Sequence, residues 1–146
     1  MEYKTVEQLG SVAEILRQPH APVMSKGARL ERWAQLLEEQ PDRYLNTLHR
    51  TEYQSEESRD AMRCANSPIS VAFGDPVLRG EGLGDDSYGG AKRFFEISDR
   101  DLHEVLCYCH YGPTMLAGTA ARSVRFILAK MANPGILERM RQALTF

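Results

Sequence analysis

Apolar residues recur at intervals of three and four along most of this chain, a spacing typical of amphipathic helices. The first such segment covers residues 5–18, with Thr5 as its candidate N-cap. A second begins after the candidate cap Ser25 and is expected to end near Gln40, because Pro41 cannot continue a helix. The apolar stripe of this second helix consists of Leu30, Trp33, Leu36 and Leu37. We expect its tryptophan to pack in the core.

The last third of the chain carries the strongest helical pattern. Residues 91–97 predict a short helix, and Ser98 is the candidate cap of a longer helix over residues 99–111. Residues 114–131 predict the longest apolar helix, and Asn133-Pro134 predicts the start of a final one. This region therefore contributes most of the predicted helical structure.

The middle of the chain is less regular. Residues 42–54 favour either a short helix or a loop over the core, whereas Ser55 and the acids that follow it predict a helix start. That helix would contain Cys64. Residues 69–73 have strand character, but a lone strand cannot form a sheet, which favours a loop or a helix. Residues 80–90 contain five glycines and predict a flexible, exposed loop.

Together these segments predict an all-α fold, an irregular antiparallel bundle of five to seven helices with a glycine-rich loop. The length of 146 residues suits one domain, so residues 1–146 are expected to form a single helical domain. Small residues on the 114–131 helix would permit close approach of another helix, either within the fold or across a dimer. They are Ala117, Gly118, Ala120 and Ala121.

Composition and charge narrow the functional classes. No apolar run has the length of a membrane span and the N-terminus lacks an apolar signal core, so we expect a cytoplasmic protein without membrane contact. Three cysteines, an odd number, suit free thiols in a reducing compartment. Residues 114–146 carry five basic residues and one acid, an excess too small to indicate a nucleic-acid partner. Arg122 and Arg125 are expected on a solvated helix face.

The most specific chemical pattern lies along one edge of the predicted 99–111 helix. Side chains three and four positions apart are neighbours on a helix surface, so its histidines and one cysteine share a stripe beside the core face. Imidazole and thiolate are good zinc ligands, and a carboxylate can act as a further ligand or orient a histidine. We therefore predict a zinc-like site here, closed by a cysteine from another helix. The candidate metal residues are His103, Cys107, His110, Asp99 and Cys64.

Other interpretations of this edge stay open. Cysteine often packs as a small hydrophobe, and a histidine beside a core stripe is commonly structural. Cys107 with His103 or His110 also has the residue types of a thiolate–imidazole pair, so the sequence does not decide whether the chain is an enzyme. The glycine-rich segment lacks the spacing of a phosphate-binding loop. A calcium loop there would place Lys92 and Arg93 beside the ion.

Two functional hypotheses follow. The first is a regulatory or protein-interaction module without catalysis, which needs no cofactor and binds a protein partner or a second copy of itself. The second is a metal-binding protein or small metal-dependent enzyme that holds zinc on the 99–111 helix. The abundance of amphipathic helix and the lack of a recognisable catalytic motif favour the first.

Overall fold

The computed structural model describes residues 23–48, 54–106 and 112–133. These parts of the chain contain seven helices and two strands. The helices are α1 (Lys26–Glu38), α2 (Glu56–Asp60), α3 (Pro68–Phe73), α4 (Pro76–Gly80), α5 (Tyr88–Phe95), α6 (Asp99–Leu106) and α7 (Ala117–Ala132). The strands are β1 (Tyr44–Asn46), which follows α1, and β2 (Thr114–Leu116), which precedes α7. Helices hold 60% of the described residues, which confirms a mostly helical fold. No helix among them is long and apolar enough to cross a membrane.

The two strands correct the sequence prediction at both of their positions. Residues 42–54 favour a helix or loop and Thr114 favours a helix start, but β1 and β2 pair as an antiparallel ladder with Leu45 opposite Met115. Both of these side chains are buried, while the neighbouring Tyr44 is exposed. The paired residues lie 70 positions apart in the chain. Local periodicity cannot reveal a strand that depends on so distant a partner.

Serine side chains begin the helices where the sequence predicts them. Ser25, Ser55 and Ser98 each accept a hydrogen bond from the backbone N–H three residues later. However, α2 ends at Asp60 and none of its residues is buried, so Cys64 lies beyond the helix and that part of the prediction is wrong. A helix needs an apolar face to pack, and this short polar segment has none.

The segment between α3 and α5 is more ordered than its glycines suggest. The 69–73 stretch forms helix α3, capped by Ser67, and α4 follows at once. Leu83 and Ser87 are buried, and Gly90 belongs to α5, so the exposed loop predicted for residues 80–90 is wrong at these positions. A Cβ on Gly90 would overlap with Asp85 Oδ1. This glycine therefore allows close packing.

Trp33 lies in the core, which confirms its predicted role. Its ring is fully buried and stacks on Phe95 with the ring centroids 4.3 Å apart and the planes 10° from parallel. The indole Nε1 donates a hydrogen bond to the carbonyl oxygen of Pro68 at 2.9 Å. The side chain thus joins α1 to α5 and to the start of α3, and its polar atom is satisfied where it is buried.

Helices α1 and α7 pack side by side in opposite directions. Met131, near the end of α7, reaches Gly27 at the start of α1, and the N–H of Gly118 donates to the carbonyl oxygen of Pro41 at 2.9 Å. The small residues Ala117, Ala120 and Ala121 are buried. They serve packing within the chain. The predicted helices at residues 5–18 and after Asn133-Pro134 lie outside the described residues.

Candidate functional site

A cluster of ion pairs joins α2, α5 and α6 around Lys92. The Nζ of Lys92 lies 2.9 Å from Asp60 Oδ1 and 3.2 Å from Asp99 Oδ1. Arg59 Nη2 approaches the other oxygen of Asp99 at 3.1 Å, and the hydroxyl of Tyr88 donates to the backbone carbonyl of the same residue. Charged groups therefore link these three short helices, of which α5 and α6 also contribute buried apolar side chains to the core.

The electrostatics of this cluster favour a structural role. Burial lowers the pKa of Lys92, but hydrogen bonds to Asp60 and Asp99 and the charges of these carboxylates raise it above its ordinary value. Burial and the negative charge of Asp99 raise the pKa of Tyr88. At neutral pH the lysine stays charged and the phenol stays protonated. Neither group is prepared to act as a base or nucleophile.

The described metal candidates have protein partners of their own. Asp99, whose carboxylate was a predicted ligand, is held by two cations, Arg59 and Lys92. His103, one turn later on α6, is half-buried and makes contacts with the rest of the chain. A cation at Asp99 would have to displace these interactions, which does not favour metal binding there.

Cys64 lies between α2 and α3 with a free, half-buried thiol. Its Sγ lies 3.7 Å from the carbonyl oxygen of Thr47. Burial, followed by the negative charge of Asp86, raises the pKa of the Cys64 thiol above its ordinary value. Metal ligation and nucleophilic attack both require the thiolate, so this environment disfavours both roles.

The predicted metal site is not fully covered by the structure. Cys107 and His110 lie outside the described residues. Within residues 23–48, 54–106 and 112–133, no three His, Cys, Asp or Glu side chains are grouped to hold a metal ion. The zinc-like site therefore stays a prediction, which elemental analysis of protein purified without chelators would test.

Arg125 fixes the rotation of α7 against α1. Its guanidinium donates to Glu38 at 2.7 and 2.8 Å and to Glu31 at 2.7 Å. These hydrogen bonds raise the pKa of Arg125, and the same contact lowers the pKa of Glu38. Of the two arginines expected on a solvated face, Arg122 is exposed, whereas Arg125 bridges two helices.

The outward face of α7 is the surface that sequence analysis missed. We define it as Arg122, Phe126 and Ala129 of α7 together with Asn133, the residue that caps the end of the helix, which are all exposed. At 100° per residue Arg122, Phe126 and Ala129 lie within about 60° of one another and opposite the buried face of the helix. Phe126 is 46% exposed there, with the Nζ of Lys130 5.4 Å from its ring centroid. The sequence contains a signal for this surface, because the helical period places Phe126 opposite the apolar stripe of the same helix.

The outward face carries uncompensated charge as well as an aromatic ring. Arg122 donates to the hydroxyl of Thr119 and has no carboxylate partner among the described residues. Lys130, by contrast, is paired with Asp101. No protein-family model, curated protein or solved structure matches the chain, so its function has to be inferred from contacts and surfaces such as these.

Proposed function

We propose that this chain is a cytoplasmic regulatory or protein-interaction module without catalysis, an irregular antiparallel helical bundle that binds a second copy of itself through the outward face of α7. The observation that carries the proposal is Phe126, 46% exposed at the solvent side of an otherwise regular amphipathic helix. Aromatic side chains, phenylalanine among them, are enriched at protein–protein interfaces.

A single exposed apolar side chain is common on protein surfaces. Phe126 differs because its surroundings are self-complementary. If two copies of α7 meet in opposite directions about an axis midway between Phe126 and Ala129, each phenylalanine covers the alanine of the other copy. The same axis places each Arg122 opposite Asn133. One stripe can thus meet itself, as a two-fold interface requires.

The charges on this face are compatible with that arrangement. The guanidinium of Arg122 would donate to the side-chain carbonyl of Asn133 in the other copy. The two Arg122 side chains would lie roughly 16 Å apart along the helix axis, at about 1.5 Å per residue. That separation exceeds the Debye length of about 8 Å at physiological ionic strength, so their mutual repulsion is screened.

The size of the face indicates a weak dimer. A stable interface buries about 800 Å² on each partner, more than one stripe of four side chains provides. A fully buried phenylalanine covers about 200 Å², so covering the exposed part of Phe126 contributes about 2 kcal/mol per copy. The two copies together contribute about 4 kcal/mol, so we expect a dissociation constant on the order of 1 mM, a range that suits regulation by concentration.

Sedimentation equilibrium tests this proposal. The wild-type chain should pass from monomer to a mixture of monomer and dimer between about 10 µM and about 1 mM, and Phe126→Ala should weaken the dimer at least about 30-fold. Val77→Ala is the matched control, because Val77 is 45% exposed but lies on α4. Circular dichroism establishes that each variant is folded. A wild-type chain that stays monomeric throughout would contradict the proposal, as would equal effects of the two substitutions.

A further inference from the structure

A cavity of about 400 Å³ lies between α1, α5 and the segment that connects α4 to α5. Arg29 of α1 lines it on one side, and Arg93 and Phe94 of α5 line it on another. Gly82 and Gly84 contribute backbone without side chains. The volume falls within the range of about 300–1,000 Å³ that is usual for small-molecule sites. The cavity is thus large enough for a small ligand.

Arg29 reaches the cavity with hydrogen-bonding capacity to spare. It is 9% exposed, and its guanidinium lies over the ring of Phe94, with Cζ 4.2 Å from the centroid. Nη1 donates to the carbonyl oxygen of Phe94 at 2.8 Å, and Nη2 donates to that of Glu81 at 3.4 Å. The Nε–H has no acceptor. Since a guanidinium carries five N–H groups, this buried cation is only partly satisfied.

Two carboxylates, those of Glu81 and Asp85, also line the cavity and are better satisfied. Glu81 accepts hydrogen bonds from the backbone N–H groups of Val23 and Met24 at 2.9–3.3 Å, and its Oε1 forms a longer ion pair with Arg29 Nη2 at 3.8 Å. Asp85 accepts from the N–H and the hydroxyl of Ser87, and these bonds lower the pKa of Asp85. The unmet capacity of the cavity therefore lies with its donors. A ligand that satisfies it must bring acceptors.

We propose that this cavity binds a small oxyanion, the phosphate or carboxylate group of a small molecule, between Arg29 and Arg93. Arg93 is exposed, whereas Arg29 is buried, so the two guanidiniums can approach the anion from solvent and from the interior. Planar guanidiniums bind such groups through paired N–H donors. Side chains would hold the anion here, in contrast to a glycine-rich loop, where backbone amides do so.

A substituted glycine provides a test that leaves Arg29 in place. An added Cβ at Gly84 meets no atom within 4 Å, so Gly84→Asp should fold while bringing a carboxylate to the cavity. Gly80→Asp is the matched control, because its Cβ is equally unobstructed and Gly80 does not line the cavity. Arg93→Gln removes the cation that is exposed.

The experiment is titration with inorganic phosphate and, separately, with acetate at fixed ionic strength, followed by calorimetry and amide NMR. We expect saturable binding of one anion per chain, with shifts at Phe94 and Gly84. Gly84→Asp should weaken binding by about tenfold or more, Arg93→Gln severalfold, and Gly80→Asp less than about twofold. Preference between the two probes identifies the anionic group. Absence of saturable binding by either probe, or equal weakening by both aspartates, would overturn the proposal.

Discussion

Asp75 offers the most quantitative prediction, because its replacement removes two interactions at once. The carboxylate caps α4 by accepting the N–H of Leu78 at 3.2 Å. It also accepts two hydrogen bonds from Arg32 of α1, at 2.9 Å from Nε and 2.8 Å from Nη2. The Asp75 side chain is 4% exposed and that of Arg32 is 36% exposed. The residue therefore links α1 to the start of α4 from a buried position.

The two contributions can be separated by choice of substitution. Loss of an N-cap acceptor costs about 1 kcal/mol of the free energy of unfolding. Loss of the paired hydrogen bonds costs about 1–1.5 kcal/mol, a discounted value because the exposed part of Arg32 can return to water. Asp75→Ala should therefore destabilise the chain by about 2–2.5 kcal/mol. Asp75→Asn keeps the cap and should cost about 1 kcal/mol.

The contribution of the Asp75 charge should also depend on pH. Hydrogen bonding from Arg32 lowers the pKa of Asp75 despite burial, which opposes the shift. A carboxylate with a lowered folded pKa stabilises the protein above its unfolded pKa of about 3.9 and loses that stabilisation as the pH falls through the folded value. The difference in the free energy of unfolding between wild type and Asp75→Asn should have its full value at neutral pH and should decrease below about pH 4.

Urea denaturation, followed by circular dichroism at neutral pH and under acid conditions, measures the capping contribution, the contribution of the hydrogen bonds to Arg32 and the pH dependence of the stability difference. Wild type, Asp75→Asn and Asp75→Ala should rank in that order of stability at neutral pH. An alanine variant within about 0.5 kcal/mol of wild type would refute the assigned contacts. An asparagine variant as unstable as the alanine variant would refute the capping contribution.

Two further predictions concern α2 and the thiol that follows it. A Cβ on Gly89 would lie 2.7 Å from Asp60 Cβ, so Gly89→Ala should destabilise the chain by about 1–3 kcal/mol in urea denaturation. Gly80→Ala, with no neighbour within 4 Å, should not destabilise it, and equal effects would contradict the packing argument. Because its pKa is raised, Cys64 should react with iodoacetamide more slowly in the folded chain than in urea, as peptide mass spectrometry would measure. A faster reaction in the folded chain would contradict the raised pKa of the Cys64 thiol.

Features that depend on neighbouring residues were predictable from the sequence. Ser25 and Ser55 cap helices through hydrogen bonds within the same turn, so their position before a periodic segment is enough to identify them. Trp33 continues an apolar stripe and is buried for that reason. The same periodicity places Phe126 opposite the buried side of α7, although it does not predict how the surface is used.

Features that depend on distant partners were not predictable. Strand β1 forms because it pairs with β2, with Leu45 opposite Met115, and the residues around Leu45 give no local pattern that predicts this pairing. Asp99 has the spacing of a metal ligand along its own helix, yet its partners Arg59 and Lys92 come from α2 and α5. Arg29 looks like an ordinary helical cation in the sequence, and only the fold places it beside a cavity.

Disulfide cross-linking between two copies of the chain tests self-association through the outward face of α7 most directly. In a background with Cys64, Cys107 and Cys109 replaced by serine, the variants Arg122→Cys and Asn133→Cys, which both keep Phe126, are mixed at high concentration under mild oxidation. Because the proposed axis places position 122 opposite position 133 and separates the two copies of each position by roughly 16 Å along the helix axis, we expect the mixed cross-link to form faster than either self-cross-link. The absence of any cross-link, or equal rates for all three pairings, would contradict it.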